Sequence, residues 1–547
     1  MIKPTLYAAS AALLAPLAAS NEVTITPLTL IGDNVAGVGL ITSFSEVTVN
    51  SSGQWAVIAN TDNPLFFENS VVLRDGQVEF VEGQILGDPK GNILKGLGPI
   101  GLDDVGRLTA NFVTVPPFQF DVEVVMVNGK VIYSTDMVSP SGVSPASGFP
   151  LVAFADARTN AAGQLLTHLS VDDGQNFRSA LLFTQLDAAL NPALESYLAW
   201  ETQLLPDGLG GLSPVESIVG GPNQIALGEG GQVGYLADLA APANLEIGFY
   251  QPAGAVAVEG LDSPVPGRTW TDLAFAPIDV NSGGDTVVVG RISGDPATNL
   301  IVARNGEIIA QSGMPVPGVP GQTILNFSQT APVFIDESGS VLWQGVWLEG
   351  GGLRKALFLD DEPLVLEGVT PVGNSFVQSF FGFQDSYELS ADGSKLIFLA
   401  TLDDGTEGIF LLSREGGIET LNGCSGNTGV LAVTGTPEPG GQLDVALSGG
   451  SASPSAATLW ISTVPAIAGS PCGLPLPGIG ELLIGLTGPL LTVDFGLFTG
   501  STLSQSFPIA SNPSLIGAEL FLQGLFIAPG GNPELELTSA ARVCFGS

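Results

Sequence analysis

The chain has 547 residues, with 54 Asp+Glu against 16 Lys+Arg and a net charge of −38. That balance argues against nucleic acid, which needs clustered Lys and Arg, and against binding to anionic membrane surfaces. A hydrophobic content of 45% argues against disorder, while 72 Gly and 39 Pro favour short strands joined by tight turns.

The first twenty residues read as a signal peptide. Lys3 supplies the positive start, residues 6–17 an apolar segment, and Ala18-Ala19-Ser20 a small-residue cleavage site before Asn21. The expected location is therefore periplasmic, extracellular or cell-surface. No Cys follows the apolar run, so no lipoprotein anchor is expected. No later stretch is expected to span a bilayer: the most apolar, 479–493, carries Glu481 and Pro489 and is too short.

From there to about residue 421 one pattern recurs, a polar turn ending in Gly followed by an apolar strand. Gly53 precedes QWAVIA, Gly106 RLTANF, Gly163 QLLTHL, Gly231 QVGYLADL, Gly284 DTVVVGRI, Gly339 SVLWQGVW and Gly393 SKLIFLATL. Subtracting successive Gly positions gives spacings of 53, 57, 68, 53, 55 and 54. Units near this length with several strands each match one four-stranded propeller blade. Alternation is clear in Val341, Trp343 and Trp347 but blurs in Leu396-Ile397-Phe398-Leu399, where both faces of the strand are expected to be covered.

The latter half of each unit ends in a Gly and a Pro/Gly loop, as in Leu86-Gly87-Asp88-Pro89 and Gly313 with Pro315-Val316-Pro317-Gly318. Residues 22–48 match only this latter half, and the last unit stops after its first half. The first strands of the chain are therefore expected to complete the last unit and close a ring without free sheet edges. The third unit is the longest. Asn191-Pro192 before ALESYLAWETQLL suggests a short helix or rim loop there, with an outer strand as the alternative.

After Asn422 the repeat stops. Seven strand candidates, from VLAVTG to LELTSAARVCF, predict a β-sandwich module over 422–547. The fold class expected is all-β: a propeller of about seven blades over 21–421, then the sandwich. The three cysteines, Cys424, Cys472 and Cys544, all lie in the module. In an exported protein two are expected to pair. Cys424–Cys472 is favoured, with Cys424–Cys544 left open.

Several motifs carry resemblances. Ser170-Val171-Asp172-Asp173-Gly174-Gln175-Asn176-Phe177 resembles the Asp-box turn of sialidase-like propellers, and Leu389-Ser390-Ala391-Asp392-Gly393-Ser394 resembles the strand opener of TolB-type repeats. The N-x-x-G turns with Gly-Asp-Pro loops, followed by Asn422-Gly423-Cys424, Gly469-Ser470-Pro471-Cys472 and Asn512-Pro513-Ser514, resemble exported bacterial tandem-repeat propeller proteins of uncharacterised function. This resemblance spans nearly the whole mature chain. It implies fold and location and brings no activity or catalytic residue. The repeats are degenerate, with Glu-Gly replacing Gly-Asp in several units.

Catalytic chemistry is thinly represented. His168 is the only His, so neither a multi-His metal site nor a Ser–His nucleophile pair is indicated, and a sheet-surface His is expected. There is no G-x-S-x-G elbow, P-loop or dinucleotide fingerprint. Glycoside cleavage needs only two carboxylates, which a propeller funnel can host, but no pair stands out and the few Arg are scattered. Calcium is the better-motivated ligand: Asp279, Asn281 and Asp285 space oxygen ligands like part of an EF-type loop, without the closing Glu.

The reading that follows is an exported, non-enzymatic propeller, a monomer, binding a protein or glycan or serving a structural role. The alternatives are a carbohydrate-active hydrolase or lyase using a carboxylate pair in the funnel, and a calcium-stabilised envelope component. No cofactor other than calcium is suggested.

Overall fold

The computed structural model describes residues 23–546 apart from 65–68, 87–90, 116–120, 140–147, 220–223, 242–244, 252–253, 274–276, 328–330, 381–385, 415–416, 422–426, 439, 450–454, 465, 467–472, 477–478, 487–489, 512–518 and 529–534. The signal-peptide segment, Cys424 and Cys472 lie outside the described residues. Two compact units form, Ile25–Ser413 and a second containing Arg414–Ser547. Among the described residues there are strands and one short 3-10 turn, Pro296–Thr298, and no helix long and apolar enough to cross a membrane.

The larger unit is a β-propeller-like, all-β fold. Seven small antiparallel sheets follow one another along the chain, built from residues 34–81, 93–134, 151–200, 204–258, 270–311, 334–366 and 371–414. Val23–Leu30 adds to the seventh sheet as an edge strand beside Glu407–Arg414, with the Ile31 N–H donating to the Glu407 carbonyl at 2.9 Å. Residues from 34 onward belong to the first sheet instead.

The repeat glycines explain how each sheet starts. All seven (Gly53, Gly106, Gly163, Gly231, Gly284, Gly339 and Gly393) have φ between 75° and 88°, the left-handed region that glycine enters without a Cβ penalty. Each turn leads into a long inner strand of its sheet, from the long Gly39–Val49 into Trp55–Thr61 in the first and from the short Ile278–Val280 into Thr286–Ile292 in the fifth.

The second strands are buried on both faces, which accounts for their blurred alternation. In Trp55–Thr61, Trp55, Val57 and Ala59 pack with Ile397, Leu399 and Ile409 of the seventh sheet. Ala56 and Ile58 pack with Leu94, Phe112 and Met126 of the second sheet. In the third sheet Leu165 and Leu169 join Val125 and Tyr133 of the second, and Leu166 joins Tyr235 of the fourth. Each sheet is thus a layer between its neighbours, and the seventh and first meet in the same way.

The helix suggested after Asn191 is corrected. Pro192–Trp200 is the fourth strand of the third sheet, paired antiparallel with Phe177–Leu186. Ala199 and Trp200 are buried there, so the open edge of the sheet outweighs the local helix signal.

In the smaller unit a five-stranded sheet runs in the order Gly417–Leu421, Leu535–Cys544, Glu519–Ile527, Ser455–Ser462 and Leu490–Phe498. A three-stranded sheet is formed by Val430–Thr436, Gln442–Ser448 and Leu503–Pro508. Leu443, Val445 and Leu447 of the small sheet share one core with Leu459, Phe498 and Phe526 of the large one. Gln523 is fully buried and satisfied, donating to the carbonyls of Glu481 (2.8 Å) and Thr538 (2.9 Å) and accepting from the Leu483 N–H (2.9 Å).

Candidate functional site

All seven sheets of the larger unit line one cavity of about 150 Å3. They reach it through Val49, Leu102, Thr159, Ala226, Val280, Phe334 and Leu389 in turn. Its charged lining is Asp103, Asp104, Glu229, Asp279, Glu337 and Glu388, with Arg158 the one cation among the described lining residues.

The turns around the cavity interlock in pairs. Turns one, three and five begin with Asn: Asn50, Asn160 and Asn281. Each donates its side-chain Nδ2 to the carbonyl of the first residue in the next turn: Asp103 at 3.0 Å, Gly228 at 2.8 Å and Asp336 at 2.9 Å. The next residue of the same turn donates its main-chain N–H to the carboxylate at the second position of the following turn. Ser51 meets Asp104 at 2.9 Å, Ala161 meets Glu229 at 2.7 Å, and Ser282 meets Glu337 at 3.2 Å.

Carboxylates clasp the remaining junctions elsewhere along the strands. Glu123 accepts from the Phe154 N–H at 2.7 Å, Glu246 from Leu273 at 2.6 Å and Glu367 from Phe380 at 3.2 Å. Glu388 closes the seventh sheet on the first, accepting from Thr48 Oγ1 at 2.8 Å and the Val49 N–H at 3.3 Å. Every junction therefore carries a carboxylate bonded to the neighbouring sheet. Motif reading did not single out Glu123, Glu229, Glu246, Glu367 or Glu388. For Glu229 the signal was present in the alternation of Asn-led turns with acidic ones at the repeat spacing.

Crowding of like charge and loss of water shift these groups. Burial, helped by the charges of Asp104, Asp103 and Glu337, pushes Glu229 up to about 7. Burial also pushes Asp279 up to about 7, with Glu337 adding to the rise and the Ile335 N–H and Arg158 opposing it. Asp104 is raised mainly by burial, with Asp392 and Asp103 contributing.

The three candidate calcium ligands have separate partners. Asp279 Oδ2 accepts from the Ile335 N–H at 2.9 Å. Asn281 Oδ1 accepts from the Asp285 N–H at 2.9 Å, and its Nδ2 donates to Asp336 and to Asp285 Oδ2 (3.2 Å). Asp285 Oδ1 accepts from Asn305 Nδ2 at 2.6 Å. Asn281 and Asp285 are thus brought together, and Asp279 and Asn281 both line the cavity. Among the described residues no group of three or more His, Cys, Asp or Glu is placed to hold a metal ion.

His168 is not on a sheet surface. It is 5% exposed, with Nε2 2.9 Å from Ser179 Oγ, and burial pushes it down to about 4. Nδ1 has no hydrogen-bond partner, so no acid orients the ring as nucleophilic catalysis would require. Neither His168 nor Ser179 lines the cavity. The Asp-box-like turn is held by Asp173, which accepts the N–H groups of Gln175 (2.8 Å) and Asn176 (2.7 Å) and pairs with Arg178 Nε at 2.8 Å. Its Phe177 is 68% exposed.

No family model and no curated protein matches the chain. Among solved structures, the chain is similar to the crystal structure of a subtype N11 neuraminidase-like protein of A/flat-faced bat/Peru/033/2010 (H18N11). Identity is 12% over 71% of this chain and 93% of that one, with a TM-score of 0.26. A superposition this loose carries no chemistry across.

Proposed function

We propose that the chain is an exported, non-enzymatic propeller of seven blades followed by a β-sandwich module, acting as a binding or structural protein outside the cytoplasm. One observation carries the non-enzymatic reading. The carboxylates around the shared cavity accept hydrogen bonds from neighbouring main chain, so their oxygens are committed to holding adjacent sheets together. A general acid or base must instead present a carboxyl to the substrate. The cavity, at about 150 Å3, is also smaller than the roughly 300–1,000 Å3 of small-molecule sites. The reading puts the protein or glycan ligand, as a proposal, on the loop faces rather than inside the cavity.

Export rests on the first twenty residues, and the tandem-repeat resemblance agrees with it. The Cys424–Cys472 pairing and a monomeric state belong to the same reading. The test is a glycan and peptide array probed with the mature protein. Binding that survives substitution of Asp279 and Glu229 supports the loop-face reading, and binding that both substitutions abolish contradicts it.

A further inference from the structure

The stretch that leads out of the seventh sheet repeats a signal used inside the others. Arg74-Asp75-Gly76 turns the chain into the outermost strand of the first sheet, Gln77–Val81, and Arg304-Asn305-Gly306 turns it into Glu307–Gln311 of the fifth. One further residue leads from these strands to Gly83 and Gly313. Arg414-Glu415-Gly416 precedes Gly417–Leu421, and Asn422 then leads to Gly423. The spacing from Arg to the last Gly is nine residues in all three. The hairpins also share a register: Arg74 pairs with Gln77 and Arg304 with Glu307, with a bulge after the second pair. Val127 with Lys130 and Leu359 with Glu362 repeat it in the second and sixth sheets.

The seventh sheet does not use this strand. Its edge at Glu407–Arg414 is taken by Val23–Leu30. Gly32 then donates to the Ile41 carbonyl at 2.8 Å, as Gly83 donates to Leu94 and Gly313 to Ile324, each at 2.7 Å. The N-terminal strand therefore holds the outermost place, and Gly417–Leu421 is surplus to the seven sheets. It lies instead at the edge of the five-stranded sheet of the smaller unit, with Gly417 opposite Cys544 and Leu421 opposite Ala540.

We propose that Gly417–Leu421 is an exchangeable strand, which pairs with residues 411–414 when Val23–Leu30 is removed and thereby bares the edge of Leu535–Cys544. Trimming of the N-terminus thus switches the fold between two strand pairings and opens a sheet edge in the smaller unit. The register of the other hairpins sets the new pairs: Arg414 with Gly417, Ser413 with Ile418, Leu412 with Thr420 and Leu411 with Leu421.

Opposing terms set the balance. The hairpin is local and its closure costs little chain entropy, whereas Val23–Leu30 comes from the far end of the unit. Against that, Val23–Leu30 has eight residues and Gly417–Leu421 five. The turn is weaker as well. Asp75, Asn128, Asn305 and Asp360 have φ of 47–50° at the first turn position, which Asp and Asn tolerate best. Glu415 stands at that position after the seventh sheet. With the N-terminal strand present, the longer partner holds the edge.

The test is disulfide trapping in the full mature protein carrying Leu411→Cys and Leu421→Cys, with peptide mapping to separate this link from those of the native cysteines. It is repeated with Glu415→Asn added, and in a chain that begins at Asn34. The full-length protein is expected to link slowly. Glu415→Asn makes an Asn-Gly turn and is expected to raise the linking rate about five-fold, and trimming is expected to raise it further. Hydrogen exchange reads both edges without introduced cysteines. In the trimmed chain Glu407–Arg414 is expected to keep its protection while Leu535–Cys544 loses it. The reverse pattern overturns the proposal, as does a trimmed chain that cannot fold. A linking rate that neither Glu415→Asn nor trimming changes overturns it too, and so does a link found only between two chains.

Discussion

Asn281 and Asp336, 55 residues apart, occupy the same position in adjacent turns, and Asn281 Nδ2 donates to the Asp336 carbonyl at 2.9 Å. The same side chain accepts from the Asp285 N–H, so one buried amide holds its own turn and binds the next sheet. Asn281→Ala removes both bonds and takes the side-chain acceptor from the Asp285 N–H, while the Asp336 carbonyl keeps its bond from the Gly339 N–H at 2.9 Å. The expected cost is about 2–4 kcal/mol, read as a lower urea midpoint at unchanged m-value. Asn281→Asp keeps the acceptor but sets a buried carboxylate against the Asp336 carbonyl and Asp285 Oδ2, and is expected to cost at least as much as Ala.

Two glycines separate backbone strain from crowding. Gly393 has φ 75°, and a Cβ there would sit 2.3 Å from Asp336 Oδ2. Gly405 has φ 85° and nothing within 4 Å. Gly405→Ala should cost about 1 kcal/mol, the price of the left-handed conformation alone. Gly393→Ala should cost at least about 1 kcal/mol more, because Asp336 must move while fixing its own turn through Ser338 and Ser340. Equal costs in urea titrations would show that Asp336 yields freely.

Between the fifth and sixth sheets the packing centres on Trp343, stacked on Phe358 at 4.5 Å between ring centroids. Trp343 is 1% exposed, and its Nε1 donates to the Asp360 carbonyl at 2.9 Å. Trp343→Ala is expected to destabilise the larger unit by about 3–5 kcal/mol, and Trp343→Phe by clearly less. Tryptophan fluorescence and circular dichroism melts of both variants check this.

Peptide mapping of the secreted protein under non-reducing conditions is expected to join Cys424 to Cys472 and to leave Cys544 open to alkylation. N-terminal sequencing of the same sample is expected to begin at Asn21. A Cys424–Cys544 link would move the crosslink to the last strand.

Much of the architecture was legible because Gly-led turns recur at near-constant spacing, and because strands covered on both faces lose simple alternation. Leu396-Ile397-Phe398-Leu399 read as covered on both sides, and all four side chains are buried. The segment after Asn191 misled, since Asn-Pro is a good helix start while the strand it forms is dictated by pairing with the strand just before it, Phe177–Leu186. The site was less legible. Glu123 and Phe154, or Glu246 and Leu273, meet through side-chain-to-main-chain bonds that leave no mark on the accepting partner's residue type. His168, in a repeat strand between Thr167 and Leu169, read as a sheet-surface residue, yet Thr167 and Leu169 are themselves buried.

The central claim is that the cavity's carboxylates hold the ring together and perform no chemistry. It is tested most directly by incubating the mature wild-type protein, Glu229→Gln and Asp279→Asn with a panel of oligosaccharides and following product release by mass spectrometry. The account predicts no turnover by any of the three. Cleavage by wild type that either variant abolishes would contradict it.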